Sequence, residues 1–228
     1  AGTYTVIATS SSACVSSMAC SATVVVNPLR VAYNVTGGGG YCSGGSGVTV
    51  GLDGSQSGVN YQLHIGGSPY GGTVAGTGGS ISFGSITTGG SYTVAASNPT
   101  TGCTAMMSGS VTVSVSSLPT IYPVTGGGAY CSGGSGEHVM LGGSTYGISY
   151  QLYYGTTAMG GAVSGTGSTL DFGLFTGAGT YTVVATNLST SCTATMSGSA
   201  TITVNALPGL FTVTGGGTYC SGGTGYHI

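Results

Sequence analysis

The feature that most constrains this sequence is an internal repeat. The motif Tyr-Cys-Ser-Gly-Gly begins at Tyr41 and returns at Tyr130 and Tyr219, so successive copies stand 89 residues apart (130 − 41 and 219 − 130). Cys103 and Cys192 are separated by the same interval (192 − 103). Repetition at a fixed period is typical of an array of similar modules, each of which forms one structural unit.

The repeat predicts where the modules begin and end. We assign two full modules to residues 31–119 and 120–208, a C-terminal module fragment to residues 1–30, and an N-terminal fragment to residues 209–228. Because both ends of the sequence fall inside a module, we expect the chain to be a window on a longer array.

Each module has the sequence pattern of an antiparallel β-sandwich. Apolar and polar residues alternate in short runs, and clusters of Gly, Ser, Thr and Asn separate the runs. In the first module the runs are Val48–Leu52, Val59–Leu63, Ser80–Phe83, Ser91–Ala95 and Ser110–Val115. No helical period of useful length is present. We therefore predict an all-β chain of tandem sandwich modules with an 89-residue repeat.

The composition excludes several classes of protein. Charged residues make up only 2% of the chain and Arg30 is its one strong base, so little could neutralise the phosphates of a nucleic acid. The 48 glycines follow no three-residue period, which excludes collagen, and an apolar fraction of 40% is too high for a disordered chain. No apolar run approaches the roughly 20 residues that cross a bilayer, so we predict no membrane span in this window.

The ionisable residues do not form a catalytic or metal-binding pattern. Paired carboxylates would be needed for general acid–base catalysis, and several for a calcium site. The chain has three carboxylates, at different positions of the repeat: Asp53, Glu137 and Asp171. Its histidines have too few neighbouring ligands for a metal site, although Glu137 precedes one of them: His64, His138 and His227. We predict that the chain is not an enzyme and that it has no catalytic, cofactor-binding or metal-binding residues and no cofactor.

Two segments resemble the sixth strand of immunoglobulin-like (Ig-like) folds. Gly90–Ala96 and Gly179–Ala185 each place Tyr-Thr-Val at the start of an apolar alternation. In Ig-like folds a Tyr at this place bonds back to an upstream backbone group, an arrangement called the tyrosine corner. Val59–Leu63 is similar to the third strand, with Tyr61 where antibody domains place Trp.

Together with the Tyr-Cys-Ser-Gly-Gly motif and the cysteine that follows the sixth strand, these segments make the whole unit similar to a known group of repeats. It resembles the bacterial extracellular Ig-like and PKD-like tandem repeats of giant cell-surface, adhesin and filament proteins, many of which are exported by type IX secretion. The resemblance extends over essentially the whole chain. It implies an Ig-like sandwich and a location outside the bacterial cell or at its surface, whereas such modules serve as stalks, adhesins and filament bodies alike.

The seven cysteines indicate an oxidising compartment, because they recur with the module and show no C-x₂-C spacing of a zinc site. The candidates for structural disulfides are Cys14, Cys20, Cys42, Cys103, Cys131 and Cys192.

Two connectivities are open for the repeated cysteines. Within modules, Cys42 pairs with Cys103 and Cys131 with Cys192, each bond closing 61 positions (103 − 42) and contributing about 4 kcal/mol. Between neighbouring modules, Cys42 pairs with Cys192 and stiffens the array. In an Ig-like sandwich the two cysteine positions lie at opposite ends, which opposes the first connectivity. Cys14 is then left for Cys20 or for an upstream partner.

We interpret the chain as a structural extracellular repeat protein that forms a fibre, stalk or filament body, and whose partners are copies of itself or neighbouring repeats. The alternative is a repetitive surface adhesin that binds glycans or surfaces through exposed loops and tyrosines, with weak affinities multiplied by valency. Tyr41, Tyr130 and Tyr219 are the candidates for such exposed contacts, since they recur with the module outside the core-type positions.

Overall fold

The computed structural model describes residues 1–26 and 31–227, so Arg30 and the predicted module boundary after it lie outside the described residues. Within this part of the chain, every regular element is a β-strand and none is a helix, which confirms the predicted all-β class. The chain divides into two compact units, residues 1–117 and 118–228. The finer division into modules and fragments stays a prediction.

The first unit begins with four short, fully exposed strands. They are β1 (Gly2–Tyr4), β2 (Ile7–Thr9), β3 (Val15–Ser17) and β4 (Ala22–Val24). β1 pairs with β4 and β2 pairs with β3, both antiparallel. Because none of their side chains is buried, these strands form a ribbon without an apolar core.

The described residues 31–117 of the first unit contain nine strands. They are β5 (Val35–Gly37), β6 (Gly39–Cys42), β7 (Val48–Leu52), β8 (Asn60–Ile65), β9 (Ser68–Ala75), β10 (Ile81–Ile86), β11 (Gly90–Ser97), β12 (Thr104–Met106) and β13 (Val111–Ser116). One sheet has the order β10-β7-β5, and the other has the order β6-β13-β11-β8-β9, with β12 paired to β11. Side chains from both sheets meet in one apolar cluster, which is the arrangement of a two-sheet sandwich.

The second unit has the same strand order. Its strands are β14 (Val124–Gly126), β15 (Gly128–Cys131), β16 (Glu137–Leu141), β17 (Ile148–Tyr154), β18 (Thr157–Ser164), β19 (Leu170–Phe175), β20 (Gly179–Asn187), β21 (Thr193–Thr195) and β22 (Ala200–Asn205). The sheets are β14-β16-β19 and β15-β22-β20-β17-β18, with β21 paired to β20. Both units are therefore Ig-like sandwiches, as predicted.

The glycine run at the start of each sandwich moves the chain from one sheet to the other. β5 pairs antiparallel with β7, whereas β6, which follows after Gly38, pairs parallel with β13 in the opposite sheet. Gly37 has φ = +88°, and a Cβ at this position would overlap the Thr49 carbonyl oxygen. Only glycine fits this backbone conformation and close approach. The parallel pair departs from the predicted all-antiparallel pattern, because the first strand is divided between the sheets.

Alternation along the strands builds a separate core in each unit. In β11, Tyr92, Val94 and Ala96 are buried while the residues between them are more exposed. The largest buried side chains of the first core are Leu52, Tyr61, Leu63 and Tyr92, and those of the second are Leu141, Tyr150, Leu152 and Tyr181. Burying each such side chain contributes about 1.5–3 kcal/mol, so each unit has an apolar driving force of its own.

Both sandwiches contain the tyrosine corner that the resemblance implies. The Tyr92 hydroxyl donates a hydrogen bond to the Thr88 carbonyl at 2.7 Å, and the Tyr181 hydroxyl donates one to the Gly177 carbonyl at 2.9 Å. Burial raises the pKa of both phenols above the ordinary value. The hydroxyl of a core tyrosine thus fixes the turn before its own strand.

Residues 206–227 contain no strand, although they include the third copy of the motif. Leu210, Phe211 and Val213 of this segment are almost fully exposed. In the second unit the equivalent segment supplies β14, whose Val124 is buried. The repeated segment therefore forms a paired strand in the second unit, whereas its copy in residues 206–227 is unpaired.

Candidate functional site

The repeated cysteines occupy two kinds of place in the sandwiches. Cys42 and Cys131 end β6 and β15, and we call them the strand cysteines. Each is aligned with the last residue of the neighbouring parallel strand, Ser116 or Asn205. Cys103 and Cys192 lie in the loop between β11 and β12 and in the loop between β20 and β21, and we call them the loop cysteines.

Asparagine side chains hold the loops of the loop cysteines. The Asn98 backbone N–H donates to the Cys103 carbonyl at 3.0 Å, and its side-chain oxygen accepts from the Thr100 N–H at 2.8 Å. Asn187 makes the equivalent bond to the Cys192 carbonyl at 2.8 Å. These contacts close the loop locally, so each loop cysteine stands at a defined place.

The two kinds of position differ in oxidation state between the units. Cys42 and Cys192 are disulfide-bonded. The free thiols among the described residues are Cys14, Cys20, Cys103, Cys131 and Cys220. One strand cysteine and one loop cysteine are thus oxidised, while their counterparts in the other unit are thiols.

The within-module connectivity is wrong, because it requires disulfides at Cys103 and Cys131. The physical reason is the length of the sandwich. Cys42 is aligned with Ser116 at the end of β13, beyond the start of β11, whereas Cys103 follows the end of β11. β11 has eight residues and therefore spans about 25 Å. A disulfide requires Cα atoms within about 7 Å, so the two cysteines of one sandwich cannot meet.

Cys14 and Cys20 lie in the exposed N-terminal ribbon and are not bonded to each other. Cys14 accepts a long contact of 3.8 Å from the Ser12 hydroxyl, and its N–H donates to the Ser10 hydroxyl at 3.1 Å. Cys20 has φ = +79°. Cys220 lies in the strandless C-terminal segment and is likewise exposed. The role of Cys14 and Cys20 as structural disulfide residues stays a prediction.

Two of the three tyrosines expected at the surface face inward. Tyr41 and Tyr130 are half-buried and pack against the cores of their units. The Tyr41 hydroxyl donates to the Thr87 carbonyl, and the Tyr130 hydroxyl donates to the Thr176 carbonyl. These bonds fix the ends of β6 and β15, beside the strand cysteines. The role of Tyr41 and Tyr130 in surface contacts stays a prediction.

Tyr219, in contrast, is 62% exposed. Tyr146 and Tyr154 are also exposed, but Ser57 and Ile65 occupy the equivalent places of the first unit. Fully exposed tyrosines thus do not recur between the two sandwiches.

An apolar cleft that was not predicted from the sequence recurs in both sandwiches. It opens between the outer strands of the two sheets, β9 and β10 in the first unit. Its volume is about 230 Å³ there and about 380 Å³ in the second unit. Aromatic side chains line it: Tyr70 and Phe83 in the first unit, and Phe172 and Phe175 in the second. The pairs Gly71-Gly72 and Gly160-Gly161 keep the outer strand bare and are the sequence signal of the cleft.

The outer strands are poor templates for pairing with another chain. The register of β8 and β9 shifts after Gln62, whose side-chain NH₂ donates to the Tyr70 carbonyl at 3.0 Å. The register of β10 and β7 shifts between Ser82 and Ser85. At the opposite side, β5 and β6 have only three and four residues. Bulged or very short edges limit lateral strand addition.

The acidic and histidine residues make isolated contacts. His138 Nδ1 lies 2.8 Å from Asp171 Oδ2, both side chains being half exposed. The hydrogen bond from His138 lowers the pKa of Asp171. In the first unit, Asp53 accepts hydrogen bonds from the backbone N–H and the side-chain NH₂ of Asn34. In the described part of the chain, no three His, Cys, Asp or Glu residues come together, and no helix has the length and hydropathy of a membrane span.

The comparisons with known proteins find similarity at the level of solved structures. No family model matches the chain, and no curated protein matches it either. The fibronectin(III)-like modules of Clostridium thermocellum CbhA are 13% identical, with a TM-score of 0.38 over 79% of this chain and 100% of theirs. Three N-terminal domains of the bacteriophage RB49 outer capsid protein Hoc are 18% identical, with a TM-score of 0.31 over 76% and 59%. The human OSCAR ligand-binding domain is 16% identical, with a TM-score of 0.30 over 68% and 89%.

Proposed function

We propose that this chain is a structural extracellular repeat protein, which forms the body of a fibre, stalk or filament at a bacterial surface. The observation that carries the proposal is the place of the cysteines. The disulfide-bonded Cys42 and Cys192 lie at ends of sandwiches, whereas the disulfide of an antibody domain crosses the core between the sheets. A cross-link at the end of a module transmits force along an array. The core is then stabilised by apolar packing, without a disulfide across it.

The surface supports the same function. With charged residues at 2% of the chain, neighbouring copies meet almost no like-charge repulsion. The lateral edges are bulged or short, so association by strand addition is disfavoured and the ends remain the better places for linkage. Disulfides persist in oxidising compartments, which supports a location outside the cytoplasm. Copies of the chain or neighbouring repeats are the partners.

Electron microscopy of the purified full chain, incubated under oxidising conditions, tests this function. The proposal predicts extended fibres whose axial repeat corresponds to one or a few sandwiches. The chain treated with a reductant throughout is the matched control, and it should give shorter particles. Compact, dispersed particles under both conditions would contradict a fibre-forming role.

A repetitive adhesin is the second candidate, and the recurring apolar cleft favours it. Tyr70 and Phe83 present aromatic surface in the first cleft, and sugar rings pack on such surfaces. Glycan-array binding by the full chain tests this function, with Phe83→Ser and Phe172→Ser as a combined cleft variant. Binding that the variant loses supports an adhesin. Absence of binding by the unaltered chain, or binding that the variant retains, would contradict recognition through the cleft.

A further inference from the structure

We propose that Cys131 and Cys103 are the residues through which separate copies of this chain become covalently joined, Cys131 of one copy bonding to Cys103 of another. The partner at each thiol is a second copy of this chain. The inference deepens the proposed structural function, because it names the bond that would connect subunits of a fibre.

The first support is the state of the same two positions in the other unit. Cys131 is the strand cysteine whose counterpart Cys42 is oxidised, and Cys103 is the loop cysteine whose counterpart Cys192 is oxidised. The local frames match: Ser43 and Ser132 each donate their N–H to the neighbouring strand at 2.8 Å. Both kinds of position are therefore built to carry a disulfide.

The loop frames match as well. The N–H of Cys103 and the N–H of Cys192 each lie 3.4 Å from a threonine hydroxyl two residues earlier in the loop. Their carbonyls accept from Asn98 and Asn187. The thiol at Cys103 thus stands in the same backbone frame as an oxidised cysteine, and this frame is what distinguishes it from an incidental surface cysteine.

The second support is that neither thiol can be oxidised inside its own sandwich. The strand cysteine and the loop cysteine of one unit are separated by the length of β11 or β20, which have eight and nine residues. This length of about 25–30 Å far exceeds the reach of a disulfide. Cys131 is exposed and Cys103 is half-buried, so the sulfur of each can be reached from outside.

The stoichiometry favours an open chain of copies. Each copy has one free strand cysteine and one free loop cysteine in a folded sandwich. A bond between unlike positions is heterologous, and a heterologous link that does not close on itself produces a linear array. A bond between like positions at only one of the two sites would stop at a dimer. The remaining thiols, Cys14, Cys20 and Cys220, lie in segments without a core.

The bond forms by two thiol–disulfide exchanges with a small-molecule disulfide such as oxidised glutathione. The Cys131 thiolate attacks one glutathione sulfur and releases the first glutathione thiolate. The Cys103 thiolate of a second copy then attacks the Cys131 sulfur of the mixed disulfide and releases the second. The glutathione disulfide accepts the two electrons, the two thiol protons pass to the glutathione thiolates, and the protein gains one disulfide.

The full chain, incubated with oxidised glutathione and separated on a non-reducing denaturing gel, provides the test. We expect a ladder of dimers, trimers and higher species that collapses to monomer on reduction. In a background that also carries Cys14→Ser, Cys20→Ser and Cys220→Ser, Cys131→Ser alone and Cys103→Ser alone should remain monomeric, whereas an equimolar mixture of the two should give dimers and no higher species. Covalent dimers from either variant alone would overturn the pairing.

A matched control removes the other thiols. The Cys14→Ser, Cys20→Ser, Cys220→Ser triple variant should retain the ladder, and peptide mapping should find Cys131 joined to Cys103. Loss of the ladder in this variant would overturn the inference. Far-UV circular dichroism confirms that each variant retains its strands, so a failure to fold is recognised.

The outcome also separates this inference from the proposed function. Fibres that form equally well from the Cys103→Ser, Cys131→Ser double variant would overturn the covalent link and leave a structural role standing. A complete ladder whose members are dispersed particles under the electron microscope would support the disulfide and contradict the fibre.

Discussion

The change of sheet at Gly37 can be tested with two alanine substitutions, Gly37→Ala and Gly44→Ala. Both place alanine at a positive φ, but only the first also produces a steric overlap. Gly37 and Gly44 have almost the same φ, +88° and +83°. Alanine in this left-handed region costs about 1–2 kcal/mol at either position. At Gly44 a Cβ meets nothing within 4 Å, whereas at Gly37 it overlaps the Thr49 carbonyl oxygen.

To relieve this overlap, β5 must move away from β7. The pairing of these strands spans Val35 to Gly37, so two or three backbone hydrogen bonds are lost, at about 1 kcal/mol each. Val35 is buried, and its partial exposure costs about 1 kcal/mol more. Gly37→Ala should therefore lower the free energy of unfolding of the first unit by about 4–6 kcal/mol, against about 1–2 kcal/mol for Gly44→Ala.

Urea unfolding followed by far-UV circular dichroism measures both losses. Gly126→Ala provides an independent repetition in the second unit, since Gly126 has φ = +91° and its Cβ would overlap the His138 carbonyl oxygen. We expect a loss of the same size there. Equal losses for Gly37→Ala and Gly44→Ala would refute the argument, because they would show that the close approach of β5 to β7 contributes nothing.

Three further predictions concern the tyrosine corners and the disulfide state. Tyr92→Phe and Tyr181→Phe should each lower the free energy of unfolding by about 0.5–1.5 kcal/mol in urea, because each removes one hydrogen bond, while Tyr219→Phe should leave it unchanged. Because burial raises the pKa of Tyr92 and Tyr181 in the folded chain, their contribution to stability should be complete below the ordinary tyrosine pKa and should fall as the pH rises through the raised values. A urea midpoint that stays constant above about pH 10 would contradict this. Reduction of the disulfide-bonded Cys42 and Cys192 should lower the thermal midpoint of the full chain and decrease its free energy of unfolding by about 2–4 kcal/mol. An unchanged midpoint would show that the oxidised cysteines do not constrain the unfolded chain.

The sandwich was predictable because its central strands alternate strictly. All of the predicted run Val59–Leu63 except its first residue lies in β8, and Ser91–Ala95 lies inside β11, with Tyr92 making the expected corner. These strands are buried on one face, and burial of alternate residues imposes the two-residue period that the sequence shows. Where the core determines the pattern, the pattern identifies the strand.

The peripheral strands were missed for the same physical reason. β9 contains Pro69 and the pair Gly71-Gly72, which interrupt alternation, yet an edge strand tolerates both because one side of its backbone faces solvent. β5 and β6 are separated by Gly38, so the sequence shows a glycine run in place of a strand. β9 lines the apolar cleft, and β5 and β6 form the change of sheet. Both features therefore became visible only in the structure.

The cysteine connectivity and the tyrosine exposure both depend on contacts between segments that are far apart in the sequence. The sequence places Cys42 and Cys103 in one module, but their separation follows from the parallel alignment of β6 with β13, which no local pattern indicates. Tyr41 follows the glycine run and was expected at the surface. Its hydroxyl instead reaches the Thr87 carbonyl, 46 residues along the chain. Long-range contacts of this kind are set by the packing of the two sheets.

The most direct measurement of the central claim, that each unit folds around a core of its own, is hydrogen exchange of a core variant. Leu52→Ala removes a fully buried side chain of the first core and should cost about 2–5 kcal/mol. We predict faster exchange across residues 33–116 and unchanged exchange across residues 122–205, with the reverse result for Leu141→Ala. Faster exchange of both regions in either variant would show that the two units share one cooperative core, and would contradict this account.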